Sequence, residues 1–126
     1  MELENIIKRL NGLGYQYEEK TDAYMLEFAV EKATNHILNN INDSEIPEGL
    51  NHIAIDMVCA EFLMIKKGFG QLSDFTFEYV AQNVKLGDTN VQFASDATPE
   101  QKFDACVNHL LTGHDDDFAR YRKLVW

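Results

Sequence analysis

Basic residues are scarce in this chain: 11 Lys and Arg stand against 21 Asp and Glu, for a formal net charge of −10. A protein whose affinity rests on the nucleic-acid backbone needs clustered cations, and here they are dispersed. Lys66-Lys67 and Arg120-Tyr121-Arg122-Lys123 are local basic groups. Each suits the C-terminal end of a helix, where cations oppose the negative end of the dipole. Long apolar runs are also missing. A membrane span needs about 20 uninterrupted apolar residues, whereas the most apolar run, 53–65, is cut by Asp56 and Glu61. The opening Met1-Glu2-Leu3-Glu4-Asn5 has neither the basic start nor the apolar block of a signal peptide, so the cytoplasm of the cell that makes it is the expected compartment. Cysteine is limited to Cys59 and Cys106. Both lie in apolar helical contexts and read as small buried hydrophobes in a reducing compartment; sequence alone leaves a disulfide open.

Phosphate-cradling glycine loops are absent as well. Gly68-Phe69-Gly70 lacks a third glycine at the needed spacing and follows a helix instead of a strand, so it reads as a helix stop. No glycine-flanked serine resembles a nucleophile elbow. At 126 residues with 45% apolar content, the chain fits one domain, 1–126, around one core.

The apolar periodicity predicts helices. Leu3, Ile6, Ile7 and Leu10 mark a short one over 3–11, stopped at Asn11-Gly12-Leu13-Gly14. Leu26, Val30, Ala33, Ile37 and Ile41, in a stripe widened by Met25, Phe28 and Ala29, mark a longer one over 22–40, with Thr21 or Asp22 as cap. Pro47 suits the first turn of a helix over 48–67 that is apolar nearly all round. Such a helix belongs at the centre of a bundle or at a subunit interface. Thr98-Pro99-Glu100-Gln101 is a capping-box start for the Phe103, Cys106, Val107, Leu110, Leu111 stripe. A last helix is expected from Asp115, carrying Phe118, Tyr121, Leu124 and Val125 to Trp126. Between these, residues 84–93 alternate apolar and polar around Gly87-Asp88-Thr89-Asn90, which predicts a β-hairpin. Residues 75–80 suit either a strand or an aromatic loop. The expected fold is mainly α: a small bundle of four to five helices with one short hairpin.

Candidate chemistry is sparse. His109, His114 and Asp115-Asp116-Asp117 contain metal-ligating residue types. Three successive acids in the first turn of a helix cannot all converge on one ion, and a helix cap with dipole complementation accounts for them. Asp56 and Glu61 are five residues apart, about 140° around a helix, so they do not form a facing acid–base pair. Each is expected to meet a basic group or backbone donor, or to lie at an oligomer interface. His36 and His52 read as surface or structural histidines. No catalytic residue, metal site or cofactor is assigned, and the chain is not expected to be an enzyme.

The C-terminus is different. Phe118, Arg120, Tyr121, Arg122, Leu124 and Trp126 supply the Trp, Tyr and Arg types that dominate interface hot spots. Phe118 and Tyr121 suit either a contact with another chain or the chain's own core. The hairpin residues Leu86, Gly87, Asp88, Thr89 and Asn90 offer a second contact, since exposed strand edges can pair with a neighbour.

Four segments carry a resemblance: Ile46-Pro47-Glu48-Gly49-Leu50, the run from Ile55 through Asp56-Met57-Val58-Cys59-Ala60-Glu61 to Leu63, the run 84–93, and Tyr121-Arg122-Lys123-Leu124-Val125-Trp126. In this order they resemble the head–tail connector (adaptor, head-completion) proteins of long-tailed phages and prophages of Gram-positive bacteria. The resemblance spans nearly the whole chain, and none of its motifs is catalytic. It implies a helical bundle with a small hairpin and a structural role in the virion neck, assembled in the bacterial cytoplasm. Partners would be the portal protein, a head-completion stopper or tail protein, and further copies in a homo-oligomeric ring, dodecameric in the family, whose members can be monomeric until the portal templates it. The ring would extend the channel through which packaged DNA passes without specific binding, and an acidic wall would let DNA slide. Two other classes compete: an acidic phage-encoded inhibitor or DNA mimic, whose acids must form one contiguous surface, and a small metal enzyme built on His109 and His114.

Overall fold

The computed structural model describes residues 1–87 and 91–124. Its helices are α1 (Leu3–Leu13), α2 (Glu19–Ile41), α3 (Asn51–Gly68, preceded by a 3-10 turn at Glu48–Leu50), α4 (Asp74–Gly87), α5 (Pro99–Leu111) and α6 (Asp115–Tyr121). No strand occurs among the described residues.

α3 is the hub. It packs against α1, α2 and α5, while α4 packs on α5 and α1, and α6 lies on α2. This follows from its composition: Ala54, Ile55, Met57, Val58, Cys59, Ala60, Phe62 and Leu63 are all buried, and burying apolar area from most sides is the main favourable term. The expectation of a central helix is met. α1 contributes Ile6, Leu10 and Leu13, and α2 contributes Leu26, Ala29, Ala33, Ile37 and Ile41.

Local chemistry sets the helix ends. α1 stops at Gly14, which is left-handed at φ 108°, a conformation that a Cβ disfavours. α2 stops at Asn42, also left-handed at φ 54°. Pro47 sits just ahead of the 3-10 turn, with extended backbone. Gly68 is the last residue of α3, and Gly70, at φ 68°, turns the chain away. The capping box of α5 is present as expected: Gln101 N–H donates to the Thr98 hydroxyl, and the Thr98 N–H donates to the Gln101 side chain.

The hairpin is a correction. Residues 84–87 are the last turn of α4, and Phe75, Phe77 and Tyr79 lie in the same helix, neither strand nor loop. Phe77, Val80, Ala81 and Val84 recur at the helical spacing and are buried, so this stripe outweighs the alternation of Val84 and Leu86. Ser73 supplies the start, accepting from the Thr76 N–H at 3.2 Å. The second half of the alternation does pack, in irregular backbone: Val91 is buried and Phe93 rests on the core. The Lys85 ammonium bonds the Val91 carbonyl and lies over the Phe93 ring, 5.5 Å from its centroid. Asp88, Thr89 and Asn90 lie outside the described residues.

The buried ion pair of the bundle sits where α2, α3 and the α1–α2 connection meet. Lys66 Nζ donates to Asp22 Oδ1 at 2.8 Å, and Tyr15 OH donates to Asp22 Oδ2 at 2.8 Å. Asp22 is 1% exposed and Lys66 6%. Lys66 therefore does more than complement a helix dipole, as its position alone suggested. Asp22 lies inside α2 and accepts the Glu18 N–H at 3.0 Å, so it caps from within the first turn and not from ahead of it.

Candidate interaction surface

α6 follows α5 through Gly113, which is left-handed at φ 81°, and this turn lays the C-terminal segment across α2. Phe118 is buried, with its ring edge-on to His36 at 6.4 Å and tilted against His114 at 6.0 Å. It belongs to the chain's own core, which removes it from the candidate contacts. Tyr121 is half-buried and lies over Gly49, where any Cβ would collide with its hydroxyl. The helix ends there, so Arg122 to Leu124 continue in non-helical backbone and not as the helix expected to run to Trp126.

These last residues close the C-terminal end of α2, which leaves carbonyls without intrahelical partners. Arg122 Nε donates to the Asn40 carbonyl at 2.8 Å, and the Lys123 N–H donates to the Ile41 carbonyl at 2.8 Å. Asn42 Nδ2 returns a bond to the Lys123 carbonyl at 3.2 Å. Lys123 Nζ pairs with Asp43 at 3.2 Å. The Ser44 N–H is the main influence holding the Asp43 carboxyl below its ordinary pKa, with Lys123 and the Glu45 N–H adding to it against desolvation. The two cations thus oppose the dipole of α2, and not that of their own helix. Arg120 and Leu124 point outward, Leu124 at 76% exposure. Trp126 lies outside the described residues.

Of the hairpin contacts, Leu86 is 83% exposed and Gly87 ends α4; Asp88, Thr89 and Asn90 are again outside the described residues. Sequence reasoning missed other exposed apolar side chains. Tyr24 and Phe28 stand on the outer side of α2, and Phe75 with Tyr79 forms an exposed ring pair on α4 at 5.7 Å. Phe28, expected to widen the core stripe of this helix, is 53% exposed instead; Tyr24 lies off that stripe, which was the available signal, and without a helix predicted over 75–80 Phe75 and Tyr79 gave none.

Two open grooves flank α1. One, of about 590 Å³ between α1 and α3, is lined by Lys8, Arg9, His52 and Asp56, and the Arg9–Asp56 pair at 2.8 Å crosses it. The other, of about 340 Å³ between α1 and the first half of α2, is lined by Met1, Leu3, Ile6, Tyr17, Ala23 and Val30 together with Glu19 and Glu27.

The residues of chemically reactive type are dispersed. Asp56 pairs with Arg9, and Glu61 pairs with Lys32 at 3.1 Å, as expected for acids set in an apolar helix. Burial, and secondarily the Asp56 charge, pushes the Cys59 thiol up to about 12, and burial pushes Cys106 up to about 11. Such thiols are poor nucleophiles. Both are free, and each donates weakly to a backbone carbonyl, Ile6 and Ala81 respectively. His114 Nε2 must donate to the Leu110 carbonyl at 2.8 Å, since a carbonyl only accepts. Among the described residues, no three His, Cys, Asp or Glu side chains come together to hold a metal. Asp115, Asp116 and Asp117 occupy the first turn of α6, and α6 has no side-chain cap bond; only the dipole half of the expected role is realised.

No protein-family model matches the chain, and no curated protein or solved structure matches it significantly. Among the described residues, no helix is long and apolar enough to cross a membrane.

Proposed function

We propose that the chain is a structural subunit of a tailed-phage virion, a head–tail connector that assembles as a ring beneath the portal and offers a platform to the stopper or tail protein. The observation that carries this reading is the C-terminal segment. It is basic and aromatic in an acidic chain, is held on its own α2 by a few bonds, and turns Arg120 and Leu124 outward. A segment fixed in this way is organised for a partner before the partner arrives, which lowers the ordering cost of association. The ordered resemblance over 46–50, 55–63, 84–93 and 121–126 supports the same reading. So does the net charge of −10, which suits a channel that must not grip DNA. In this role the protein works in the virion neck and is made in the host cytoplasm.

The test is to mix the purified protein with the portal protein from the same genome and image the particles by electron microscopy. A ring of added density below the portal is expected. Bare portal rings, with both proteins folded, would overturn the proposal and shift weight to an acidic protein that binds another partner.

A further inference from the structure

The two ends of α2 carry complementary surfaces. At 23 residues and 1.5 Å per residue, the helix is about 34 Å long. Its C-terminal end holds the basic tail, with Arg122 and Lys123 bonded over Asn40 to Asp43 and with Arg120 and Leu124 turned outward. Its N-terminal half forms the α1–α2 groove, whose lining is mostly apolar and bears the carboxylates of Glu19 and Glu27 and, at Met1, one amino group. Leu3, at the groove's edge, is 52% exposed. A tail pinned at one end of α2 cannot reach a groove at the other.

We infer that the α1–α2 groove receives the tail, residues 120–124, of a second copy of this chain. Leu124 enters the apolar groove beside Leu3, and Arg120 meets its carboxylates. Charge complementarity argues for this occupant: the tail is a basic segment carrying the exposed Leu124, and the apolar groove sets two carboxylates, Glu19 and Glu27, against the one amino group of Met1. The two surfaces are different patches on one molecule, so the contact is heterologous and repeats head to tail; it closes into a ring when the rotation per copy allows. The inference rests on the assembly reading above, and it names the inter-subunit contact.

The test is cross-linking of the full chain carrying both Leu3→Cys and Leu124→Cys, under mild oxidation, alone and with the portal protein from the same genome. Both positions are exposed, and a disulfide requires Cα atoms within about 7 Å, so no bond forms within one copy across the length of α2. The native Cys59 and Cys106 are fully buried and stay out of the reaction. The double variant is expected to give a ladder of dimers, trimers and larger species, whereas neither single-cysteine chain gives more than a trace of dimer.

Adding Glu27→Lys should reduce the ladder by about fivefold, the scale of losing and inverting one or two partly exposed ion pairs. That change makes the chain less acidic overall, so general repulsion between copies predicts the opposite result. Arg120→Glu should reduce the ladder similarly, and the two reversals together should restore it. A double-cysteine chain that stays monomeric both alone and with the portal protein overturns the inference. So does a ladder indifferent to Glu27→Lys, or charge reversals that fail to rescue one another. A ring on the portal without the ladder would sink this contact and leave the connector reading standing. The ladder without a ring on the portal would do the reverse.

Discussion

Asp22 gathers four donors on two oxygens: Lys66 Nζ and, at 3.3 Å, the Thr21 hydroxyl on Oδ1, with Tyr15 OH and the Glu18 N–H on Oδ2. Burial is the largest single influence on this carboxyl and raises its pKa. The hydrogen bonds from Lys66, the Glu18 N–H and Tyr15, with the Lys66 charge, together outweigh burial and bring the pKa below the ordinary 3.8. The carboxylate is therefore more stable in the folded chain than in the unfolded one. Its contribution is complete above the ordinary carboxyl pKa and is lost as pH falls below 3.8 towards the depressed folded value. Acid unfolding of Asp22→Asn should lack this component, as urea titrations across that window would show. Asp22→Ala should cost about 3–5 kcal/mol in urea denaturation, because it strands a buried ammonium. Adding Lys66→Met should recover most of that loss; a double variant as weak as the single would mean that shape at this site matters more than charge. Gly14 makes a second residue-scale case. It is left-handed, and a Cβ there would collide with the Tyr79 ring, so Gly14→Ala should cost about 1–2 kcal/mol through backbone conformation alone and lower the thermal midpoint.

Element by element, the sequence was most informative where one signal acted alone. The stripes of α1, α2, α3 and α5 and the Thr98–Gln101 box appear in the structure because nothing nearby competed with them. α4 was missed because two periods overlap in it. Phe77, Val80, Ala81 and Val84 follow the helical period, yet Val84-Lys85-Leu86 also alternates, and Gly87 to Asn90 offer turn chemistry. Packing against α5 and α1 decided the outcome, as tertiary context commonly does for aromatic and β-branched segments. The candidate site was legible in composition but not in placement. The types at Arg120, Tyr121 and Arg122 suggested a contact, but only the fold shows Phe118 inward, Tyr121 against Gly49, and Arg122 on the Asn40 carbonyl. This changes how the tail should be tested. Cutting before Phe118 would empty a core site and cost about 3–5 kcal/mol, confusing unfolding with lost assembly. Removing 122–126 leaves Phe118 in place and exposes the Asn40 and Ile41 carbonyls to water, a loss of about 1 kcal/mol or less. Hydrogen exchange should then quicken at the Asn42 and Asp43 amides, which bond back to the Leu38 carbonyl, and stay unchanged in α3. Equal acceleration in α3 would show that the tail holds the whole bundle.

At the scale of the molecule, charge is the dominant feature outside the core. The ion pairs Lys32–Glu61, Lys67–Glu100 and Lys102–Glu78 each have at least one partner well exposed, and such pairs contribute about 1 kcal/mol or less apiece. Against them stands the mutual repulsion of a chain with ten more acids than bases, which disfavours the compact state over distances up to the Debye length. Raising NaCl from about 0.01 M to about 0.15 M shortens that length from about 30 Å to about 8 Å. Long-range repulsion is then screened more than the close pairs, and the Asp22–Lys66 pair, buried on both sides, is screened least. The thermal midpoint should therefore rise with salt in this range. A midpoint that falls would mean that the surface acids are matched locally by their bases and that net charge is a poor guide to this protein's stability. A rise has a consequence for assembly as well: copies that repel one another at long range need a short-range contact of opposite sign to associate, and the basic tail, with Arg120, Arg122 and Lys123 all exposed, offers one.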